Sequence, residues 1–486
     1  MPTTAVAAVR LDRGLLRLMG VLLVGASVAL LDTTIVAVAI DDLTRAFGTT
    51  VSTAQWVTTG YLLAMAAAIP MMGWLTDRWG ARRVWLATLS LFLLGSVLCG
   101  LAWSIESLIV ARVIQGLGGG LILPLVQAIL AGAAGPQRMG RVMGMIGIPG
   151  QLAPILGPVL GGLILGSLGW RWIFLVNIPL CLLAIALARR HLDVTAHRGS
   201  AGLDWAGALL MIPAIVAVLA SLSAIDGLSS GSAGPIGLLA VGMGLLVGFV
   251  LHSRSRGDRA IIDLRLLRLR SFCIATVLML LSGACLYGPM LLLPLFYQQA
   301  RGVPISQVGL LLAPQGLGLM AGLWVAGRWA DRLGPRIVAI AGAMPAAIGV
   351  SVFVVAGDAS LFVLSAGLVA LGAGIGAIGV AVSATSYRDV QPKAIPRATS
   401  LLNIVQRVGA SLGTVVIASI LHQQLAAIDA TAGQGAVNRA FVYTFTCVLG
   451  FLALVLVVVF FLPATPPMPP PIDRPKPESR TAACEP

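Results

Sequence analysis

Gly73-Trp74-Leu75-Thr76-Asp77-Arg78-Trp79-Gly80-Ala81-Arg82-Arg83 joins two long apolar runs, and Gly327-Arg328-Trp329-Ala330-Asp331-Arg332-Leu333-Gly334-Pro335-Arg336 joins two more, 254 residues later. Gly, Asp, Arg, Gly and one later Arg hold the same offsets in both copies. Internal similarity of this kind is how duplicated transporter halves show themselves in a sequence. The glycines allow tight turns and close packing. A carboxylate at the end of one helix can also cap the N-terminus of a neighbour. Two abutting six-helix halves would put the copies six apolar runs apart, but here they are eight apart. Six helices, two inserted helices and six more is the simplest arrangement that fits.

Working outward from that repeat, 58% of the 486 residues are apolar and only 10% are charged. A membrane helix takes ~20 mostly apolar residues, so the composition has room for about fourteen. An ordinary globular domain carries about 25% charge, and so few charges could not solvate a soluble protein of this size. The apolar runs number fourteen, from 18–40 to 439–462, with the inserted pair at 203–223 and 235–251. The expected fold is therefore all-α and polytopic. It divides into an N-terminal segment (1–17), a six-helix bundle (18–190), the inserted helices with a basic loop (191–270), a second six-helix bundle (271–462) and a proline-rich tail (463–486) expected to be disordered.

The net charge of +14 comes from 30 Arg and two Lys scattered in short clusters between the runs. Nucleic acid is excluded as a partner, because its binding needs a contiguous basic face. Twenty-six of the basic residues fall on one side of a fourteen-span topology and four on the other, which puts both termini in the cytoplasm. Five of the six cysteines lie in apolar runs, and none has metal or redox spacing. No cofactor or metal is expected.

Deep in the spans, charges are few. Asp32 is the only carboxylate far from a span end, Arg112 stands four to six residues inside the fourth span, and Arg407 joins Asn403 and Gln406 in a polar stripe of undecided role in the thirteenth. A charge at mid-membrane costs ~3 kcal/mol or more, and such residues mark ion and substrate pathways. A carboxyl there keeps its proton in apolar surroundings and gives it up when a cation approaches. No histidine stands near an intramembrane acid in this reading. Gly374-Ile375-Gly376-Ala377-Ile378-Gly379 and Gly409-Ala410-Ser411-Leu412-Gly413 imitate a dinucleotide loop and a hydrolase elbow, but both lie within spans and lack the required strand. Both lysines follow proline, so there is no P-loop and no ATPase.

Taken with the repeat, these pieces make the chain resemble the major facilitator superfamily, in its fourteen-helix drug:proton antiporter branch. Leu31-Asp32-Thr33-Thr34-Ile35-Val36 is similar to the first-helix motif, Gly73 to Arg83 to the signature loop, and Arg112-Val113-Ile114-Gln115-Gly116-Leu117-Gly118 to the fourth-helix motif. Pro154-Ile155-Leu156-Gly157-Pro158-Val159-Leu160-Gly161-Gly162 resembles the antiporter motif, and Trp170-Arg171-Trp172 through Asn177 and Pro179 is typical of the branch. Ala37, Asp41 and Ala153 depart from it.

The resemblance implies a proton-driven exporter of small amphipathic organic compounds in a bacterial inner membrane, working as a monomer among lipids, without enzymatic activity. It implies proton coupling at Asp32 and Arg112, and a substrate cavity reached by Asp32, Gln115, Gln127 and Gln151. It also implies gating by Gly73, Asp77, Arg78, Gly80, Arg82, Asp331 and Arg332. With no acid in the tenth span, monocationic, neutral or zwitterionic compounds are the expected substrates. A metabolite, siderophore or lipid exporter, an uptake permease, and a sensor without transport remain as alternatives.

Overall fold

The computed structural model describes residues 12–135, 138–192, 202–223, 233–257, 260–355, 359–428 and 434–462. Among these residues the regular structure is helical, with no strand. The first half comprises α1 (Arg13–Val38), α2 (Val51–Ala68, running through a tight turn at Ile69–Met71 into Met72–Trp79), α3 (Ala81–Gly100), α4 (Ile105–Ala134), α5 (Met139–Ser167) and α6 (Arg171–Leu175 with Asn177–His191). The inserted pair is α7 (Trp205–Ser223) and α8 (Ala233–Arg256). The second half comprises α9 (Arg270–Leu295), α10 (Ile305–Leu333), α11 (Pro335–Val355), α12 (Leu361–Ser386), α13 (Ile395–Ala426) and α14 (Gln434–Val459).

Among the described residues thirteen candidate spans are long and apolar enough to cross a membrane. The remaining helix, α5, is 29 residues long and occupies the place of the fifth apolar run. The proline-rich tail lies outside the described residues.

Local chemistry sets the helix ends. Asp12 caps α1 by accepting from the Leu15 N–H at 2.9 Å, and Ser104 and Ser107 cap α4 reciprocally. The two signature loops end their helices on glycines of the same geometry. Gly80 has φ 79° and Gly334 has φ 86°, a region that side chains with a Cβ avoid. The offsets shared in sequence thus record a shared backbone turn.

Apolar side chains gather into two large cores and a smaller one around Ile35, Leu108 and Phe174 of the first half. Of the large cores, one joins α1 to α6 with parts of α7, α8, α9 and α13. The other fills the second half, where Phe296 packs edge-on against Phe353, Phe441 and Phe445. The inserted α7 packs against α2 and α13, so it lies on the seam between the halves.

The inserted helices also bring together a pair that the sequence did not reveal. His252 at the end of α8 lies 2.8 Å from Asp204, which caps α7 through the Gly207 N–H at 3.0 Å and accepts from the Ile261 N–H at 3.3 Å. Forty-eight residues separate the pair, and only the hairpin of inserted helices brings them together. Burial alone would push the Asp204 carboxyl up, but these hydrogen bonds outweigh it and hold it below its usual range.

Candidate functional site

Close helix packing builds the first site. α4 presents Gly116 and Gly120 to α2 at Tyr61 and Met65, and Gly118 to α3, where a methyl group would stand 2.7 Å from the Phe92 nitrogen. Gly95 of α3 in turn abuts Gln115. Small residues let helix backbones approach closely, and here they draw three helices around one point.

At that point Asp32 (α1) and Arg112 (α4) form an ion pair at 2.6 Å, and each side chain is 0% exposed. Arg112 also donates to Gln115 Oε1 at 2.6 Å and to the Val57 carbonyl at 3.1 Å. Its guanidinium lies 3.9 Å above the Tyr61 ring, an arrangement that favours a cation. Gln115 Nε2 donates to Asp32 Oδ1 at 3.1 Å and to Ser96 Oγ at 2.7 Å. Asn177 (α6) donates to the same Asp32 oxygen at 2.7 Å.

Three side chains thus donate to the Asp32 carboxylate, those of Arg112, Gln115 and Asn177. Removing one member of a buried ion pair of this kind costs ~3–5 kcal/mol.

The second site lies where the two halves meet. In the first loop, Asp77 Oδ2 accepts from Arg397 Nη2 at 2.9 Å, and Gly73 lets the Arg397 stem cross over it. In the second, Asp331 accepts from the Gly140 and Arg141 N–H groups at 2.9 and 3.3 Å, with the Arg141 side chain at 3.9 Å. Gly327 there faces Gly140 and Arg141. Arg141 is the third residue of α5 and Arg397 the third of α13, so each loop of one half grips the start of the matching helix in the other. The partners differ: Asp77 binds a side chain, whereas Asp331 caps a helix N-terminus. Ser400 to the Ile69 carbonyl (2.7 Å) and Asn403 to Gln127 Oε1 (2.8 Å) extend the seam along α13.

Comparison with known proteins fits this duplicated, clasped arrangement. A family model described as Major Facilitator Superfamily matches residues 22–414, and a second match covers 272–483. The chain belongs to the Major Facilitator Superfamily. The multidrug resistance protein B homolog of Mycobacterium tuberculosis is 38% identical over 419 residues, covering 85% of this chain and 78% of the relative. A putative multidrug resistance protein MdtD of Serratia proteamaculans is 29% identical, covering 89% and 91%. Among solved structures, a double tryptophan mutant of XylE superposes with a TM-score of 0.66 at 16% identity, over 93% of this chain and 96% of that one. The superfamily chain is thus a multi-pass transporter of a bacterial inner membrane, not an enzyme.

Within this superfamily member the expected site residues divide. Asp32, Arg112 and Gln115 come together and are sealed, so Asp32 and Gln115 do not line open space in this conformation. Gln127 is half-buried on the seam. Gly157 and Gly161 pack on Thr34 and Ile35 of α1, next to Asp32, and Thr34 Oγ1 donates to the Ala153 carbonyl at 3.0 Å. Gly162 faces open space. The side chains of Gln151, Pro154 and Pro158 lie outside the described residues. Arg82 donates to the Arg189 carbonyl at 2.7 Å, while Arg78 and Arg332 are exposed.

Asn177, Ser96, Tyr61 and Arg397 were not singled out as site residues from the sequence. Asn177 was visible only as part of the branch motif. Arg397, at the start of α13 as Arg141 is at the start of α5, could have been found by extending the repeat beyond its loops.

Proposed function

We propose that this transporter is a proton-coupled exporter of amphipathic organic compounds, working by alternating access with Asp32 as its proton carrier. The observation that carries this reading is the fully buried Asp32, held as a carboxylate by Arg112, Gln115 and Asn177. Relatives named for multidrug resistance support export of organic compounds. The count of basic residues supports a cytoplasmic clasp.

With the clasp shut, substrate leaves towards the outside and a proton from that side binds the carboxylate. The neutral carboxyl no longer holds Arg112, and the cluster loosens. The halves then part at the clasp, substrate enters from the inner side, and the proton is released there as the ion pair re-forms. Potential alone supplies ~2.3 kcal/mol per charge per 100 mV, and ~1.4 kcal/mol is a tenfold concentration ratio, so one charge per cycle sustains a gradient of some tens-fold.

The test is substrate-induced proton release in proteoliposomes at fixed potential, with compounds to which a deletion strain becomes sensitive. Asp32→Asn should abolish release and uphill export while leaving downhill exchange. Arg112→Ala should impair coupling, and Arg112→Lys should restore part of it. Wild-type proton release and uphill pumping by Asp32→Asn would end this reading.

A further inference from the structure

The second half carries an intramembrane cation that the coupling cluster does not use. Arg407 is the thirteenth residue of α13, about 15 Å along the helix from Arg397 in the clasp at ~1.5 Å per residue. Ser400, Asn403 and Arg407 fall within about 60° of one another around the helix at ~100° per residue. The first two are bonded to the opposite half, to Ile69 and Gln127. Arg407 stands one turn beyond them on the same face, partly exposed, where the seam has stopped pairing. Among the described residues no ion pair or hydrogen bond holds it.

Among the described residues the phenols of Tyr287 and Tyr61 are the titratable groups that act on Arg407. Gly283 of α9 abuts Gln406, Gly409 and Ala410, and one turn further along α9 Tyr287 is exposed. Arg112 is already matched by Asp32. The membrane interior of the described chain therefore holds one unmatched positive charge, which cannot be shed by deprotonation and is costly to keep. A planar guanidinium beside aromatic and apolar walls suits a two-pronged acidic group on an apolar body.

We propose that Arg407 anchors the acidic group of the transported compound, so that the substrates of this exporter are amphipathic organic acids. The proposal rests on the export reading and gives its substrate a carboxylate or similar oxyanion, in place of the monocationic or neutral compounds that the missing acid of the tenth span led one to expect. In this conformation the protein's own acid is paired with Arg112, and the substrate supplies the second.

The test is equilibrium binding to the full chain in phosphatidylcholine nanodiscs at neutral pH. The probes are pyrenebutyrate against pyrenebutyramide and naphthylacetate against naphthylacetamide, pairs that differ only in the charge. The acids should bind at least ~tenfold more tightly than their amides, as a charge-assisted two-pronged pair requires. Arg407→Gln should bring that ratio close to one, and Arg407→Lys should keep part of it. Thermal melting checks the fold of each variant, and if Arg407→Gln does not fold, the wild-type and Arg407→Lys ratios decide.

Equal binding of acid and amide by the wild type, binding of neither acid, or an undiminished ratio in folded Arg407→Gln would overturn the proposal. Loss of the preference on adding phosphatidylglycerol would assign the site to a lipid phosphate and overturn it as well. Acid preference without proton release would remove the antiport reading alone. Proton-coupled export of cations without acid binding would remove this proposal alone.

Discussion

The two halves of the clasp have the same origin but unequal strength, and the inequality can be measured. Asp77 and Arg397 keep 28% and 16% of their side-chain surface exposed, and a partly solvated pair of this kind contributes about 0.5–1 kcal/mol. Asp331 is 10% exposed and accepts two backbone N–H groups at the start of α5. Hydrogen bonds to a charged group contribute about 1.5–3 kcal/mol, and the helix dipole adds a few tenths more.

Removing Asp331 should therefore cost the closed seam about 1.5–2 kcal/mol, and removing Asp77 about 0.5–1. Expressed as populations, Asp331→Ala should raise the ratio of open to closed clasp at least ~tenfold, Asp77→Ala roughly threefold, and the double variant by about their product because they share no partner. Asp331→Asn should fall between, since an amide oxygen still accepts one of the two bonds. Spin labels at Arg83 and Ile337, exposed positions at the starts of α3 and α11, would report the separation by pulsed electron resonance. A larger opening in Asp77→Ala than in Asp331→Ala, or none in either, would refute this account of the seam.

Three further outcomes follow from the same geometry. Gly157→Val drives a branched side chain into Thr34, and overpacking of this kind costs about 1–3 kcal/mol; transport should fall well below that of Gly162→Val, which meets open space, when both are assayed at matched expression. Asp204→Asn should lower the melting temperature, losing about 1–3 kcal/mol. Because the Asp204 carboxyl is held below its ordinary value, its contribution is complete above that ordinary value and is lost as the pH falls through the lowered one. The wild type should thus lose stability at acid pH along a limb that Asp204→Asn lacks, as followed by melting across a pH series. Finally, cysteines at Ser255, exposed near the end of α8, and at Trp103, exposed between α3 and α4, should label from opposite sides in a background without Cys484; Ser253 is buried and unsuited to such a probe.

What the sequence exposed and what it hid divide along physical lines. Asp32 and Arg112 stand out because charge is rare in an apolar run, and opposite charges in one membrane interior have strong reason to meet. The signature loops stand out because a backbone turn at φ 79° and 86° demands glycine at both places. Asn177 and Ser96 do not, since a neutral polar residue in a span has many ordinary uses and nothing local tells that Asp32 will need its donors. The partner of Asp331 is a pair of backbone N–H groups, which any residue could supply, so no side-chain pattern betrays it. Asp77 and Arg397 are 320 residues apart, and their meeting depends on how two bundles dock. Arg407 was conspicuous as a cation, but only the bonded face below it shows that it looks across the seam.

α5 has a consequence for how the two sites must speak to each other. Near its start Gly140, Gly144 and Gly147 ride on Leu323, Gly327 and Ala330 of the opposite half. Some four turns on, Gly157 and Gly161 bear on Thr34 and Ile35, two and three residues past Asp32. One rod is thus journalled at both ends, in the seam and beside the acid. If the clasp cannot open without sliding that rod against α1, then opening and protonation obey reciprocal linkage. Whatever factor a bound proton adds to the odds of opening, opening must add to the affinity for the proton. A clasp variant that stands ajar should for that reason shift the pH dependence of transport, although Asp32 lies a helix length away from the change.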